Sequence, residues 1–374
     1  MKPQDFFKIL SEKGISFYTG VPDSLLKNFC YYVNENVARE NHIISTNEGS
    51  AIALAAGYYL SSGKPGLVYM QNSGFGNAVN PLLSLTDPEV YGIPVLLMIG
   101  WRGEPGVKDE PQHIKQGRVM TELLRCMEIP FRIFNQNTSD PESEISELYS
   151  DSISGNRPAA MLISEGFFDS YTPVSKTENP YTVSREEAVK MIAEMTGEED
   201  ILVCTTGKAS RELYEFQKKK NSGNLNDFLT VGSMGHSSQI ALGIALNRKD
   251  RKVFILDGDG AVLMHMGSLA VIGSESPENL KHIILNNGSH ESVGGQPTAG
   301  FKISFTETAK ACGYKMAALA ETTEQIRHEF EILKNFKGPA MLEIRISSSS
   351  RPDLGRPHTS PAENKKSFTE YIRK

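Results

Sequence analysis

The stretch FILDGDG ends at Gly260, and IILNN ends at Asn287. One carboxylate, Asp259, stands between Gly258 and Gly260, and two carboxamides, Asn286 and Asn287, stand in tandem. Carboxylate and amide oxygens are hard ligands suited to Mg²⁺, which keeps octahedral geometry and shares its coordination with ligand phosphates. The flanking glycines let backbone N–H groups approach an anion closely. The chain between Gly260 and Asn286 is long enough for a crossover helix, roughly MHMGSLAVIG, that returns the asparagines to the sheet edge holding the acid. In open parallel sheets, ligands sit beyond the carboxyl ends of the strands, which is where these residues fall. A strand-end turn with a structural asparagine pair is the competing reading.

Other chemistry-bearing residues fall at similar places. Glu48 in STNEGSAIALAAGYY follows the apolar HIIST, and the small residues Gly49, Ala51 and Ala55 behind it permit tight packing. A carboxyl desolvated there favours its protonated form. The alternative is a first-turn glutamate favoured by the helix dipole. Asp23 and Ser24 follow a strand in GVPDS, where either also serves as a helix N-cap.

The elements that position these residues alternate. ISFYTGV (15–21), HIISTN, PGLVYM and GIPVLLMIGW read as strands, with DSLLKNFCYYVNENV (23–37) and EGSAIALAAGYYLSSG as helices between them. SGFGNAVNPLLSL reads as a turn and helix, and AAMLISEGFF (159–168) as the last strand of the first half. A polar stretch with Pro173 and Pro180 follows and reads as a linker. REEAVKMIAEM is then a helix capped by Ser184, and DILVCTTG, KVFILDGDG, KHIILNNGS and AMLEIRI are strands, with SSQIALGIALN a helix. The tail SSSSRPDLGRPHTSPAENKKSF is polar and reads as a disordered end or a lid. Strand–helix alternation of this kind implies mostly parallel sheets covered by helices on both faces.

The bulk numbers agree with two α/β domains on 374 residues. A net charge of -6 argues against nucleic-acid and membrane-surface partners and for a small-molecule ligand. No apolar run reaches the ~18 residues of a membrane span, and MKPQDFFKILSEKG lacks the apolar core of a signal peptide. Cys30, Cys126, Cys204 and Cys312 are scattered, which disfavours zinc, iron–sulfur and disulfide frameworks and points to the cytoplasm.

GDG followed at this interval by NN resembles the signature of thiamine-diphosphate enzymes. By that resemblance Asp259 and the Asn287 side chain bind Mg²⁺, with the backbone carbonyl of Ser289 completing the protein ligands. Glu48 then matches the glutamate that hydrogen-bonds the cofactor's aminopyrimidine ring. NSGFGNAVNPL (72–82) is similar to the glycine turn of a pyrimidine-binding domain. TVGSMGHSSQIALG (230–243) resembles the segment that holds the cofactor bent, which assigns the Gly232 carbonyl to the pyrimidine amine and Met234 to the wedge beneath it. TTGKAS (205–210) resembles a diphosphate-contacting strand end, and it adds Thr205 and Gly207 to a cofactor set that also holds Gly258, Gly260 and Ala261. The resemblance covers essentially the whole chain. It implies two thiamine-diphosphate-binding-fold domains without a middle domain: a pyrimidine-binding domain at 1–172, a linker at 173–183 and a diphosphate-binding domain at 184–374. It also implies active sites built between chains, hence a homodimer or larger assembly.

GVPDS (20–24), WRGEPGVKDEPQH (101–113), NNGSHESVGGQPT (286–298) and the tail together look like the short two-domain 2-oxo-acid decarboxylases of this family. The implied reaction is non-oxidative decarboxylation of 3-phosphonopyruvate to phosphonoacetaldehyde and CO₂ in phosphonate biosynthesis. Decarboxylation of sulfopyruvate or another 2-oxo acid is the alternative. A phosphonate needs cationic or N–H donors. Arg102, Lys108, His113 and Lys115 are expected in one loop after GIPVLLMIG, with Arg102 the bidentate partner. His113 is a phosphonate ligand, a proton donor or a solvated loop histidine, and His290 a further anion ligand. Ser24 contacts the substrate carboxylate and Asp23 relays a proton. The chain departs from larger decarboxylases in having no adjacent histidine pair and in carrying Met70 and Gln71 before the SGFGN turn. That leaves the proton donor the least supported role. Carboligation, electron transfer to iron–sulfur clusters and a non-catalytic regulator are the other classes. The missing middle domain, the scattered cysteines and the joint presence of Glu48, Asp259 and Asn287 oppose them in turn.

Overall fold

The computed structural model describes every residue except 175–178, 221–225 and 349. It contains two compact units, residues 1–177 with 290–296 and residues 178–289 with 297–374.

The first unit holds strands β1 (Tyr18–Gly20), β2 (His42–Ile44), β3 (Leu67–Gln71), β4 (Leu96–Gly100), β5 (Phe131–Phe134) and β6 (Ala159–Ile163), in the parallel order β2-β1-β3-β4-β6-β5. Its helices are α1 (Pro3–Glu12), α2 (Lys27–Asn36), α3 (Glu48–Ser62), α4 (Phe75–Pro81), α5 (Pro111–Cys126) and α6 (Pro141–Gly155). The second unit holds β7 (Ile201–Cys204), β8 (Phe228–Leu229), β9 (Val253–Gly258), β10 (Leu280–Asn286), β11 (Met316–Ala320) and β12 (Ala340–Arg345), parallel in the order β11-β12-β10-β9-β7-β8. Around that sheet run α7 (Arg185–Met195), α8 (Lys208–Lys220), α9 (Ser237–Asn247), α10 (Asp259–Met264), α11 (Ser268–Glu275), α12 (Phe305–Ala311), α13 (Thr323–Asn335) and α14 (Pro361–Ile372).

Each sheet is buried on both faces because alternate residues of a strand feed opposite cores. In β3, Leu67 and Tyr69 join one cluster while Val68 and Met70 join the other. In β9, Phe254 and Leu256 face one side, and Val253 and Ile255 the other. That is why these strands read as continuous apolar runs.

The structure departs from the sequence reading in three places. The helix expected from residue 23 begins at Lys27, because Asp23 Oδ2 accepts the N–H groups of Leu25 (2.7 Å) and Leu26 and closes a turn first. The crossover between β9 and β10 is two helices, α10 and α11, separated at 265–267. The tail is built rather than disordered. Ser360 and Glu363 form a capping box for α14, whose Phe368 and Asn364 are buried. Asn364 accepts from Leu229 N–H (3.1 Å) and donates to the Asp227 carbonyl (2.9 Å), which ties the helix to the edge strand β8. Part of the linker expected at 173–183 lies outside the described residues.

Phe368→Ala removes the apolar anchor of α14. It should cost about 3 kcal/mol, read as a lowered urea midpoint for the full chain.

Candidate active site

In the first unit the site grows from the carboxyl ends of β2, β3 and β4. Glu48 is the first residue of α3, set by Asn47, whose side chain caps the helix by accepting from Gly49 N–H (2.8 Å) and Ser50 N–H. The Glu48 carboxyl is buried, and its Oε2 accepts from Asn77 Nδ2 at 2.8 Å. Burial raises its pKa, against the lowering effect of Asn77. Gly74 makes this possible: a Cβ there would sit 1.9 Å from Glu48 Oε1. The glycine turn at 72–74 therefore exists to admit the acid.

Asp23 is fully buried beside it in the fold, one strand over. Gln71 Nε2 donates to its Oδ1, while burial drives its pKa up despite Gln71 and the two turn N–H groups. Asn72 pins the next loop by donating to the Arg102 carbonyl (2.8 Å) and accepting from Arg102 N–H (3.1 Å). Arg102 Nε donates to Asp109 Oδ2 (2.8 Å), Nη2 donates to Asp109 Oδ1, and Nη1 donates to Ser24 Oγ (2.9 Å). The fork on Asp109 raises the arginine pKa. Burial pushes Asp109 up, but Arg102 and Gly103 N–H outweigh it and the net shift is down.

The expectation that Arg102, Lys108, His113 and Lys115 share one loop is corrected here. Pro111 starts α5, since its fixed φ and missing N–H suit a first helical turn, so His113 and Lys115 are helical. Lys108 and Lys115 are exposed. His113 is buried rather than solvated, with no partner for its Nδ1, and burial followed by the Arg102 charge lowers its pKa to about 4. Near pH 7 it is a neutral imidazole that offers an N–H and no charge. Nor does Arg102 stand free, since Asp109 already takes its bidentate edge.

His290 opens a tight turn, accepting from Val293 and Gly295 N–H, and desolvation lowers its pKa to about 4 as well.

In the second unit the register pairs Leu285 with Gly258, so β9 and β10 end together and bring Asp259 and Asn286 to one sheet edge. Asp259 starts α10 and is 3% exposed. Thr298 Oγ1 donates to its Oδ2. Burial raises its pKa to about 6, held back by Thr298 and by the N–H groups of Gly260 and Asn287. Asn287 is buried and its Oδ1 accepts from Ser289 N–H at 3.0 Å. Gly300 leaves the space open, because a Cβ there would lie 2.6 Å from both Asp259 Oδ2 and Asn286 Oδ1.

These groups fit a hard divalent cation. Asp259 is a buried carboxylate with no cationic side chain in ion-pair range among the described residues, and an uncompensated buried charge is costly. Asn287, whose N–H reaches Asp259, carries a neutral amide oxygen, and the Ser289 carbonyl follows two residues on. A diphosphate also finds donors. Thr205 directly follows β7 and has a buried Oγ1 with no partner, and Gly207 precedes α8. Gly258 ends β9, and Gly260 and Ala261 lie in the first turn of α10, where main-chain N–H groups lack helical acceptors. The loop carrying Gly232 (φ 70°) and half-buried Met234 is tied down by the Gly232 N–H, which donates to Thr206 Oγ1 at 3.1 Å.

Sequence reasoning did not find Asn77, Asp109, Thr298, Gly300 or Glu343. Asn77 lies in the glycine-turn motif, so the signal was present there. Asp109 and Thr298 likewise lie in the stretches 101–113 and 286–298 singled out above, whereas Gly300 and Glu343 act through tertiary contacts with no local pattern.

Comparison with known proteins matches a family model to each of the two units. The family described as thiamine pyrophosphate enzyme, N-terminal TPP binding domain, matches residues 3–122, and the corresponding C-terminal TPP binding domain matches 205–344. Fold and site therefore define a thiamine pyrophosphate enzyme with two α/β domains. The chain is 32% identical to the phosphonopyruvate decarboxylase of Streptomyces viridochromogenes over 379 residues, covering 97% of this chain and 93% of that one. It is 32% identical to the phosphonopyruvate decarboxylase of Streptomyces hygroscopicus (98% and 93% covered) and 27% identical to the sulfopyruvate decarboxylase of Methanosarcina acetivorans (98% and 96%). The chain belongs to the phosphonopyruvate decarboxylase family.

The buried Asp259 sets a pH dependence. Its pKa rises from 3.8 unfolded to about 6 folded, so the folded state binds the extra proton and stability falls as pH rises through that window. Asp259 should by itself contribute a loss of up to about 1.4 kcal/mol per pH unit between these values in the metal-free protein, read as the difference between wild type and Asp259→Asn because buried His113 and His290 contribute with the opposite sign. Thermal unfolding across pH 4–7 checks the slope, and Mg²⁺ with thiamine diphosphate should flatten its upper end.

Proposed function

We propose that this protein decarboxylates 3-phosphonopyruvate to phosphonoacetaldehyde and CO₂ with thiamine diphosphate and Mg²⁺. The observation that carries this reading is the family kinship along nearly the whole chain, and the position of Glu48 and Asp259 just beyond parallel strands supports it. The carboxy-lyase activity serves phosphonate biosynthesis, and the residues divide as follows. Asp259, Asn287 and the Ser289 carbonyl hold Mg²⁺. Thr205, Gly207, Gly258, Gly260 and Ala261 serve the diphosphate, the Gly232 carbonyl accepts from the aminopyrimidine, and Met234 supports the bend. When bound, thiamine diphosphate supplies the electron sink that takes up the electron pair of the departing carboxylate. Burial favours the protonated form of Glu48, which would donate a hydrogen bond to the aminopyrimidine when the cofactor is bound.

On the substrate side, Arg102 is the fixed positive charge for the phosphonate, held in place by Asp109 and Ser24. Ser24 presents its hydroxyl to the substrate carboxylate. Asp23, driven toward its protonated form, holds a proton for return to the product carbon. Neutral His113 contributes an N–H to the phosphonate or to that proton transfer. Lys108 and His290 add donors at the periphery. The burial of His113, Asp23 and Glu48 supports a poorly hydrated pocket, which favours loss of charge at decarboxylation.

The chain divides, in this reading, into a pyrimidine-binding domain at 1–172, a linker at 173–183 and a diphosphate-binding domain at 184–374. It works as a homodimer or a larger assembly, each site combining domains of two chains. Helix α3 supports this: behind Glu48 it leaves Ala53, Leu54, Gly57 and Leu60 exposed on one apolar stripe. Leu54→Asp should shift the assembly toward monomer in sedimentation velocity. The protein acts in the cytoplasm, consistent with four unpaired cysteines and with no described helix long and apolar enough to cross a membrane.

Phosphorus NMR of phosphonopyruvate with the protein, Mg²⁺ and thiamine diphosphate tests the reading. Cofactor-dependent appearance of phosphonoacetaldehyde is expected, and Glu48→Gln should abolish it while sparing metal binding. An unchanged spectrum moves sulfopyruvate to the front, the second substrate favoured by the kinship with a sulfopyruvate decarboxylase.

A further inference from the structure

Glu343 lies on β12, next to β10, and is 1% exposed. Its Oε1 accepts from Asn286 Nδ2 at 2.8 Å and from Arg345 Nε at 3.4 Å. Both ends of the Asn286 amide are held. Its second Nδ2 hydrogen goes to the Gly300 carbonyl (2.9 Å), and its Oδ1 accepts from Gly288 N–H (3.0 Å). The amide nitrogen is thus fully used on Glu343 and Gly300, and the amide oxygen holds the turn that leads to Asn287.

A carboxamide is nearly symmetric in shape, so its two ends exchange by a flip unless a partner forbids it. Glu343 forbids it: a carboxylate oxygen accepts, so the amide nitrogen must face β12. The amide oxygen then faces Gly288 N–H and holds the turn that starts the Asn287–Ser289 segment. Thr298 N–H donates to the Gly288 carbonyl (2.9 Å), Gly300 N–H donates to Thr298 Oγ1 (3.0 Å), and Thr298 Oγ1 reaches Asp259. A continuous run of hydrogen bonds thus connects Glu343 to both Asp259 and the backbone of Asn287. On the other side, Arg345 donates to Tyr181 Oη (2.8 Å) and Glu321 Oε1 (3.1 Å), which anchors Glu343 from behind.

We propose that Glu343 is a positioning residue for the metal site: by fixing the orientation of the Asn286 amide it sets the loop from which Asn287 and Ser289 present their oxygens. This rests on the metal assignment above. Glu343 itself does not touch the metal. Outer partners of this kind tune affinity through the ligands they orient.

The test replaces Mg²⁺ by Mn²⁺ and follows its binding to the full-length protein by electron paramagnetic resonance in the presence of thiamine diphosphate, with no substrate. Glu343→Leu should weaken Mn²⁺ binding roughly 10- to 100-fold, and kcat at saturating metal should stay within about twofold of wild type. Glu343→Gln, which keeps an acceptor oxygen, should recover most of the affinity. Wild-type Mn²⁺ affinity in Glu343→Leu overturns the proposal, as does a fall in kcat that saturating metal does not restore. If Glu343→Leu does not fold, Glu343→Asp replaces it: its shortened side chain withdraws the acceptor from Asn286 and should still weaken the metal, and unchanged affinity overturns the proposal. Failure of the wild-type protein to bind Mn²⁺ with thiamine diphosphate would instead remove the metal assignment, a result separable from any effect of the variants.

Discussion

Burying a carboxyl group without a matching cation is the constraint on which this structure turns. Glu48, Asp23 and Asp259 are all sequestered at the carboxyl ends of parallel strands, and burial raises the pKa of each. A buried acid either takes a proton or waits for a positive partner. The two outcomes are divided between the units. Glu48 and Asp23 each accept from one side-chain amide, Asn77 and Gln71, but burial outweighs the lowering effect of these donors, which suits a protonated role. Asp259 is surrounded by main-chain N–H groups, Thr298 and open space beside Gly300, which suits a cation.

That arrangement explains why glycine and asparagine cluster near the acids. Gly74 and Gly300 are sites of clearance, each leaving room for a carboxylate oxygen that a methyl group would displace. Asn72 and Asn286 hold loops by donating and accepting with the same side chain, which no purely cationic or anionic residue does, while Asn77 donates to Glu48 and Asn287 accepts from Ser289 N–H. The Arg102–Asp109 pair does similar work with charge. It keeps a guanidinium half-buried and oriented, and the cost of desolvating it is offset by two parallel hydrogen bonds.

Much of this was legible because the chemistry recurs as short local patterns. GDG and NN follow apolar strands directly, so period and turn residues place Asp259 and Asn287 without tertiary information. Glu48 was legible for the same reason, standing between a strand and a run of small residues. His113 was misplaced because Pro111 was read as part of the loop PGVKDEPQH, although a proline also suits a first helical turn and here opens a 16-residue helix. The tail was misread because its polar composition hides a single buried phenylalanine, Phe368, and one asparagine whose partners are 135 and 137 residues away.

What the sequence determined by itself was the alternating α/β order, the strand-end acids and amides, and through them the cofactor class. All of these depend on neighbours within a few residues, where backbone geometry is set locally. What only the tertiary structure decided was which of these groups are free. Arg102 is engaged by Asp109, and both ends of the Asn286 amide are held by Glu343, Gly300 and Gly288. His113 is kept neutral by burial. Desolvation and hydrogen-bond saturation depend on atoms that the parallel crossovers bring together from distant parts of the chain, and no local pattern of residues encodes them.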